Sequence, residues 1–455
     1  MEEATPLAER FAGAGWKLYL VGGVVRDALL DRLHGDVDLD FTTDARPDDV
    51  EALLAGWADA VWTQGKRFGT IGARFGDRTV EITTHRAEAY QPDSRKPDVV
   101  FADEVEADLA RRDFTVNAMA LSLPDVRLID PFEGAADLAA GRLRTPLSPD
   151  ESFSDDPLRM MRAARFIAGY AMVPEPALVE AVGRLRSRLE IVSAERIRDE
   201  LNKLIVVERP GKGLWFLVST GLAGEFLPEL PALGLEQDPI HRHKDVLAHT
   251  VAVVEKTTAS DRLVRLAALF HDVGKPKTRS FGPNGTVSFH HHEAVGARMT
   301  RDRMRALRYP AEEIDVVSRL VELHLRFHTY RMGWTDSAVR RYVRDAGPLL
   351  DQLNELTRCD CTTRNEAKAK ALARRMDELD ERIADLRQRE ELAAIRPDLD
   401  GDQVMARLGL RPGPLVGEAL AYLLELRLEE GPLGEEEAGR RLDAWWAPRR
   451  RPTQP

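Results

Sequence analysis

Near the amino end, Gly22-Gly23-Val24-Val25-Arg26-Asp27 is followed by Gly35-Asp36-Val37-Asp38-Leu39-Asp40. A glycine turn lets bare backbone approach a phosphate closely. The acids alternate with Val37 and Leu39, and on a strand that period gathers them on one face. Two carboxylates so placed can bridge a pair of divalent cations about 3.5–4 Å apart, one activating a hydroxyl and the other neutralising charge on a departing pyrophosphate. The pattern therefore points to a nucleoside triphosphate held with two magnesium ions. Each half alone has a plainer explanation, since glycines punctuate strand-to-helix turns and acids after glycine sit in solvated loops. The combination at this spacing is what carries the chemistry.

Further groups follow. Arg111-Arg112-Asp113-Phe114-Thr115-Val116-Asn117-Ala118 sets two guanidiniums beside a carboxylate, ahead of what reads as an apolar helix start. Arginine forks match phosphate oxygens, and an aspartate accepts from a ribose hydroxyl. In Ser154-Asp155-Asp156-Pro157-Leu158-Arg159, proline suits the first helical position, which makes Asp156 the N-cap. Arg159, Arg162 and Arg165 recur at steps of three and are expected on one helix face. A second set is rich in histidine: His249, then Phe270-His271-Asp272-Val273-Gly274-Lys275-Pro276, then His292, His324 and Asp360. Imidazole with carboxylate suits Mn, Fe, Ni or Mg. His290 and His291 read as neighbours of this set rather than ligands. Val273-Gly274-Lys275-Pro276 lacks the glycine and Ser/Thr of a P-loop. Asp398-Leu399-Asp400-Gly401-Asp402 lacks the closing glutamate of an EF-hand.

The elements that must position these groups change along the chain. Lys17–Val21 reads as a buried strand, and Thr70–Phe75 and Thr79–Thr84 as strands around Gly76-Asp77. From Pro157 the spacing turns helical, continuing through Arg196–Val207. Pro228, Pro231 and Pro239 mark a linker. Leu372, Met376, Leu379, Ile383 and Leu386 form the seam of a long helix. A chain of 455 residues needs about three cores, and 43% hydrophobic with 31% charged residues describes a globular protein. No apolar run can cross a bilayer, no signal peptide is visible, and the two cysteines, Cys359 and Cys361, are too close for a disulfide. A cytoplasmic location without membrane contact is expected. The net charge of −11 runs against a pure nucleic-acid-binding module. Arginine clusters at 184–188, 301–308 and 340–344 nonetheless offer surfaces for an RNA backbone.

In order, the GG-x-V-R-D turn, the D-x-D pair, the R-R-D-F-T-x-N-A block and the D-x-x-R helix resemble the class II tRNA nucleotidyltransferases and bacterial poly(A) polymerases. The segment around Phe270–Pro276 resembles the HD phosphohydrolase superfamily. The resemblance implies an α+β fold: a polymerase-β-like nucleotidyltransferase head of mixed sheet and helices (1–150), then a helical neck (151–235), an HD domain (236–365) and a helical, tRNA-binding tail (366–455). It implies Asp36 and Asp38 as Mg2+ ligands, with Glu81 as the third carboxylate. Gly22, Gly23, Arg26 and Arg112 fall at triphosphate-binding positions, and Asp113 at the ribose contact. Asp156, Arg159, Arg162 and Arg165 fall where the family reads the incoming base. Asp40 has no counterpart and reads as a solvated strand-end acid. His249, His271, Asp272 and Asp360 would hold a divalent transition metal or Mg2+, with His292 and His324 completing a second ion.

The implied activity is addition of CMP, CMP and AMP to a tRNA 3′ end from CTP and ATP, with phosphohydrolase or phosphodiesterase activity in the HD domain. Asp156 would accept from the amine of cytosine or adenine, and Arg159 would donate to the neighbouring acceptor. Uracil presents the reverse order and leaves both groups mispaired. The segment from His85 to Ala110 is full length, unlike the shortened loop of relatives that add only two cytidines, which favours the complete CCA sequence. Poly(A) polymerase is the alternative within the family. An HD hydrolase with a vestigial head and an RNA-binding scaffold are the alternatives outside it.

Overall fold

The computed structural model describes residues 4–33, 39–89, 98–235, 245–282, 286–330, 333–361, 366–392 and 395–449. The chain divides into two compact units, Met1–Ala232 with Ala306–Tyr309, and Leu233–Arg305 with Pro310–Pro455.

The first unit opens on a mixed sheet. Its strands are β1 (Leu18–Val21), β2 (Leu39–Thr43), β3 (Ala60–Trp62), β4 (Thr70–Phe75) and β5 (Arg78–Thr84), with a separate antiparallel ribbon of β6 (Arg86–Ala89) and β7 (Asp98–Phe101), and then β8 (Ala120–Leu123) and β9 (Arg127–Ile129). The seven-stranded order is β3-β4-β5-β2-β1-β8-β9, antiparallel except for the β2–β5 pair. All four residues of β1 are buried, as its unbroken apolar run requires of a central strand. On β5, Val80, Ile82 and Thr84 are buried while Thr79 and Glu81 face out, so one side seals the core and the other stays open for chemistry.

Helices follow. In Leu158–Gly169 the residues Met160, Met161, Ala163, Ala164, Phe166 and Ile167 are buried. That helix packs along Ala194–Ile205 and against Gly211–Ser219. Gly213 is what permits the last contact, because a Cβ there would lie 2.5 Å from the Ala164 carbonyl oxygen. The expected helix after Arg112-Asp113 is instead a single 3-10 turn, Thr115–Asn117, leading into β8. The turn is pinned from outside the segment: Thr115 Oγ1 donates to Asp137 at 2.7 Å, and a Cβ on Gly134 would be 2.2 Å from the Thr115 oxygen.

The second unit is helical apart from a hairpin pairing Arg279–Phe281 with Val287–Phe289. Its long helix, Glu366–Arg389, buries Met376, Leu379, Ile383 and Leu386 of the expected seam, while Leu372 is only half-buried. Helices Gly401–Leu408, Pro414–Glu430 and Glu435–Trp446 close on a small core of Leu399, Val404, Val416, Ala419, Leu423, Ala438 and Leu442. Asp400 caps the first of these with a reciprocal box to Gln403, which is the task of that acidic run.

In two of the arginine clusters read as RNA-tracking surfaces, side chains pair with groups of this chain, while Arg184 and Arg186 stay about half exposed. Arg184 pairs with Asp150, Arg186 with Glu225, and Arg188 donates to the Ser154 carbonyl. Arg340 and Arg427 share the buried Glu390 at 2.9 and 2.6 Å, while Arg341 binds Glu425 and Glu429. Among the described residues, no helix is long and apolar enough to cross a membrane.

Candidate functional sites

In the first unit the chain leaves β1 through Gly22, whose φ of +82° and ψ of −141° suit only glycine. A Cβ there would sit 3.2 Å from Arg112 Nη1 and 3.8 Å from Asp40 Oδ2. The bare turn, an arginine fork and an acid thus converge. Glu81 stands beside Asp40 through the parallel register of β5 and β2, both exposed on the open face. Asp40 is exposed as a strand-end acid should be, yet this register makes it part of the acidic edge. Asp36 and Asp38 lie outside the described residues, as does the middle of the His85–Ala110 segment, residues 90–97.

Arg112 donates to Asp108 at 3.2 Å, and its buried Nε has no hydrogen-bond partner among the described residues. A buried unpaired N–H beside a glycine turn is what an anionic ligand would satisfy. Asp108 is fully buried; burial alone raises its pKa, but Arg111 and Arg112 outweigh it and bring the value to about 2. Gly23 and Arg26 are placed differently. A Cβ on Gly23 would meet Arg26 Nη2 at 3.3 Å. The Arg26 guanidinium is buried, donating to Asn117 at 2.6 Å, to Asp27 and to Tyr170, with its charge 4.3 Å from the Tyr170 ring centre. That set of partners ties the glycine turn to the end of helix Leu158–Gly169.

Asp113 is held as completely. Its Oδ1 accepts from the Phe114 N–H and Asn117 Nδ2, and its Oδ2 from Arg162 Nε and Nη2 at 2.7 and 2.5 Å. Against burial, Arg162 carries its pKa down to about 2. With four donors on two oxygens, a sugar hydroxyl reaches this carboxylate only as Arg162 yields. Asp156 has extended backbone and closes the preceding helix, Pro149–Asp155; Pro157 rather than Asp156 is the N-cap of Leu158–Gly169, although the Asp156 side chain accepts from the Leu158 N–H at 3.2 Å. Its second oxygen accepts from Arg196 at 2.9 Å.

The three helix arginines do not share a face. A step of three falls about 60° short of a full turn, so Arg159 and Arg165 diverge. Arg159 is buried and donates to Ser152 Oγ at 2.9 Å and to the Arg111 carbonyl at 2.5 Å. Arg162 and Arg165 reach Glu200 on helix Ala194–Ile205 at 3.6 and 3.0 Å. Sequence reasoning passed over Ser152, Tyr170, Arg196 and Glu200. Only Glu200 left a signal, as an acid on the apolar face of an amphipathic helix.

In the second unit five helix ends converge. His249 comes from Val246–Lys256, His271 and Asp272 follow Arg262–Phe270, His292 starts His292–Ala306, His324 follows Ala311–Leu323, and Asp360 ends Leu350–Asp360. His249 Nε2 is 3.2 Å from His271 Nε2 and 2.9 Å from Asp360 Oδ1; His271 Nε2 is 3.2 Å from Asp272 Oδ2. His292 Nε2 is 3.4 Å from Asp272 Oδ1 and 3.3 Å from His324 Nε2. Two donor triads result, His249-His271-Asp272 and Asp272-His292-His324, joined at Asp272.

The Nδ1–H groups of His271, His292 and His324 donate to the carbonyls of Ala268, Phe289 and Val321 at 2.8, 2.8 and 2.6 Å. Each ring is thereby fixed with its Nε2 turned inward, the arrangement of imidazole ligands to a metal. Burial works against a charged His271, but Asp272 and Asp360 lift its pKa to about 10, while burial and His271 push His324 down to about 3. A field that strong is suited to a divalent cation. Lys275 Nζ, also buried, donates to Asp272 Oδ2 at 2.7 Å. His291 is exposed with φ +61° and takes no part in either triad.

Gly274 sets how closely His292 approaches. A Cβ there would lie 2.1 Å from the His292 carbonyl oxygen and 2.7 Å from the Gly296 nitrogen. Gly274→Ala is therefore expected to cost about 3 kcal/mol or more and to push His292 away from Asp272. Thermal unfolding with and without Mn2+ checks this, and an unchanged midpoint would contradict the crowding.

Residues 18–144 match the poly A polymerase head domain, 172–233 the probable RNA and SrmB-binding site of polymerase A, and 243–386 the HD domain. The A-adding tRNA nucleotidyltransferase of Deinococcus radiodurans is 36% identical over 441 residues, covering 94% of this chain and 95% of that protein. The CCA-adding enzyme of Bacillus velezensis is 40% identical over 237 residues, 52% of this chain and 57% of that protein. The crystal structure of the Bacillus stearothermophilus CCA-adding enzyme in complex with CTP superposes with a TM-score of 0.71 over 98% of both chains at 23% identity, which establishes the shared fold with its polymerase-β-like head. The likeness to the Deinococcus protein runs through nearly the whole of both chains, the head is followed in this chain by an HD domain, and this protein belongs to the family of tRNA nucleotidyltransferases and poly(A) polymerases.

Proposed function

We propose that this protein extends the 3′ end of tRNA with CMP, CMP and AMP drawn from CTP and ATP, selecting each nucleotide with its own side chains and no template strand. The observation that carries the reading is the Asp113–Arg162 pair, which joins the Arg111-Arg112-Asp113 block to the helix that follows Asp156. Arg159 is fastened to the same block through the Arg111 carbonyl. The residue assigned to the ribose and residues assigned to the base thus form one network.

Asp36 and Asp38 would hold Mg2+ with Glu81, whose carboxylate oxygens suit that hard ion. When bound, such ions promote ionisation of the attacking hydroxyl and offset charge on the leaving group. The chain supplies the rest. Gly22 admits the triphosphate to bare backbone, and Arg112, with its unpaired Nε, donates to phosphate oxygens. Asp156 accepts from an exocyclic amine and Arg159 donates to the adjacent ring or carbonyl acceptor, so uracil leaves both mispaired. The tail, 366–455, would bind the body of the tRNA. The HD donor set would hold one or two divalent ions and serve phosphoester hydrolysis, with Lys275 balancing Asp272.

One observation favours a second reading. The Deinococcus relative, aligned with 94% of this chain, is named an A-adding enzyme, and a Thermus thermophilus relative aligned with 94% is named a CC-adding enzyme, whereas the named CCA-adding relative matches about half. Addition of only part of the CCA end, such as the terminal adenosine alone, is that reading. Full-length protein given tRNAs ending at the discriminator base, at C and at CC, with each nucleotide, decides between them by sequencing the products. CCA on the first substrate supports the proposal, A on the third substrate alone supports the second reading, and an open-ended adenosine tail overturns both. In the same assay Asp156→Ala is expected to relax discrimination against UTP by about 100-fold. An unchanged nucleotide preference removes Asp156 from base selection.

A further inference from the structure

The base-reading groups are held by a helix to which no role in nucleotide choice has been given. On Ala194–Ile205, residues Arg196, Glu200 and Lys203 follow one another at steps of four and three and so lie along one stripe. Arg196 Nη2 donates to Asp156 Oδ2 at 2.9 Å. Glu200, buried, accepts from Arg165 Nε at 3.0 Å and from Lys203 at 3.4 Å, and stands 3.6 Å from Arg162 Nη1. Arg162 in turn fills Oδ2 of Asp113. One stripe thereby fixes the carboxylate of Asp156 and both arginines that follow it. Arg159 is fixed separately, by Ser152 and the Arg111 carbonyl.

We propose that Arg196 and Glu200 are positioning residues for nucleotide selection: Arg196 sets the plane of the Asp156 carboxylate, and Glu200 sets the spacing of Arg162 and Arg165. This rests on the reading of Asp156 as a base-selecting group. A carboxylate has in-plane acceptor directions on each oxygen. With Oδ1 given to the Leu158 N–H and Oδ2 to Arg196, the carboxylate plane is fixed, and the remaining lone pairs point in set directions toward an incoming amine. Without Arg196 the Oδ1 contact alone leaves the plane free to turn about it. Glu200 acts through charge: it keeps two neighbouring guanidiniums from repelling each other apart and shares Arg162 with Asp113.

The test uses the full-length protein and the tRNA extension assay, reading kcat/KM for CTP, ATP and UTP with thermal midpoints alongside. Arg196→Ala is expected to narrow discrimination against UTP by roughly tenfold, the worth of one lost charge-assisted hydrogen bond, with Arg196→Lys restoring most of it. Glu200→Gln, which keeps shape and removes charge, is expected to do the same through Arg162 and Arg165 while the protein stays folded. A merely structural role would lower all three nucleotides in proportion. If Asp156→Ala relaxes selection while Arg196→Ala and Glu200→Gln leave the ratios untouched, the positioning role is wrong and the base-selecting one stands. If Asp156→Ala also leaves the ratios untouched, the reading beneath it fails.

Discussion

Asp38→Asn, and separately Asp36→Asn, are expected to lower the rate of nucleotide addition by roughly a thousandfold or more, since metal-borne charge stabilisation is worth several kcal/mol and each 1.36 kcal/mol is a factor of ten. Either change removes one anionic ligand while conserving shape, so CTP should still bind through the Gly22 turn and Arg112 while turnover is lost. The measurement is single-turnover extension of a shortened tRNA, with nucleotide binding followed separately. Glu81→Gln is a graded companion. Its carboxylate is exposed beside Asp40, a second acid able to take up part of its task, so a smaller loss of about tenfold to a hundredfold is expected. Full-speed extension by either Asp36 or Asp38 variant would leave the nucleotidyl-transfer reading without its chemistry, whatever the rest of the chain resembles.

What could be read from sequence follows a physical division. The strands and the long helix were legible because local periodicity determines which residues are buried: Val80 and Ile82 against Glu81, and Met376 through Leu386 at steps of three and four. The break at Asp156-Pro157 was legible because proline fixes its own φ and restricts the residue before it, although Pro157 and not Asp156 takes the N-cap position. Illegible were features decided by partners far along the chain. That Arg26 is buried against Tyr170, 144 positions later, and Asn117 could not be read from its neighbours in sequence. Arg340 reads as a solvated charge until Glu390 claims it. The Arg112-Asp113 block reads as a helix start until Gly134 and Asp137 clamp Thr115 in a 3-10 turn. Of the stripe Arg196-Glu200-Lys203 only Glu200 stood out, as an acid on the apolar face of its helix; the partners it meets lie on the neighbouring helix.

The histidine set behaves differently, since six ligands on five helix ends can only be assembled by the tertiary fold. Their types announced metal chemistry, but not that Asp272 belongs to both triads. From that sharing follows the second large effect. Asp272→Asn removes the anionic oxygen from each triad at once and leaves buried Lys275 without its counter-charge. After chelation and readdition of Mn2+ or Ni2+, the native protein is expected to show a higher unfolding midpoint with metal than without. The variant is expected to bind at least about 100-fold more weakly, forfeiting roughly 2.7 kcal/mol of ligand-linked stability at saturating metal. His291→Ala, altering an exposed ring outside both triads, should keep the native shift. Differential scanning calorimetry and isothermal titration read both quantities, and a native-sized metal response in Asp272→Asn would show that the cluster is a polar core rather than a metal site. Where that response is lost as expected, hydrolysis of 2′,3′-cyclic nucleotides and phosphomonoesters by the metal-loaded native protein becomes the separate test. If neither is cleaved, the ion is structural and the hydrolase reading of this domain falls.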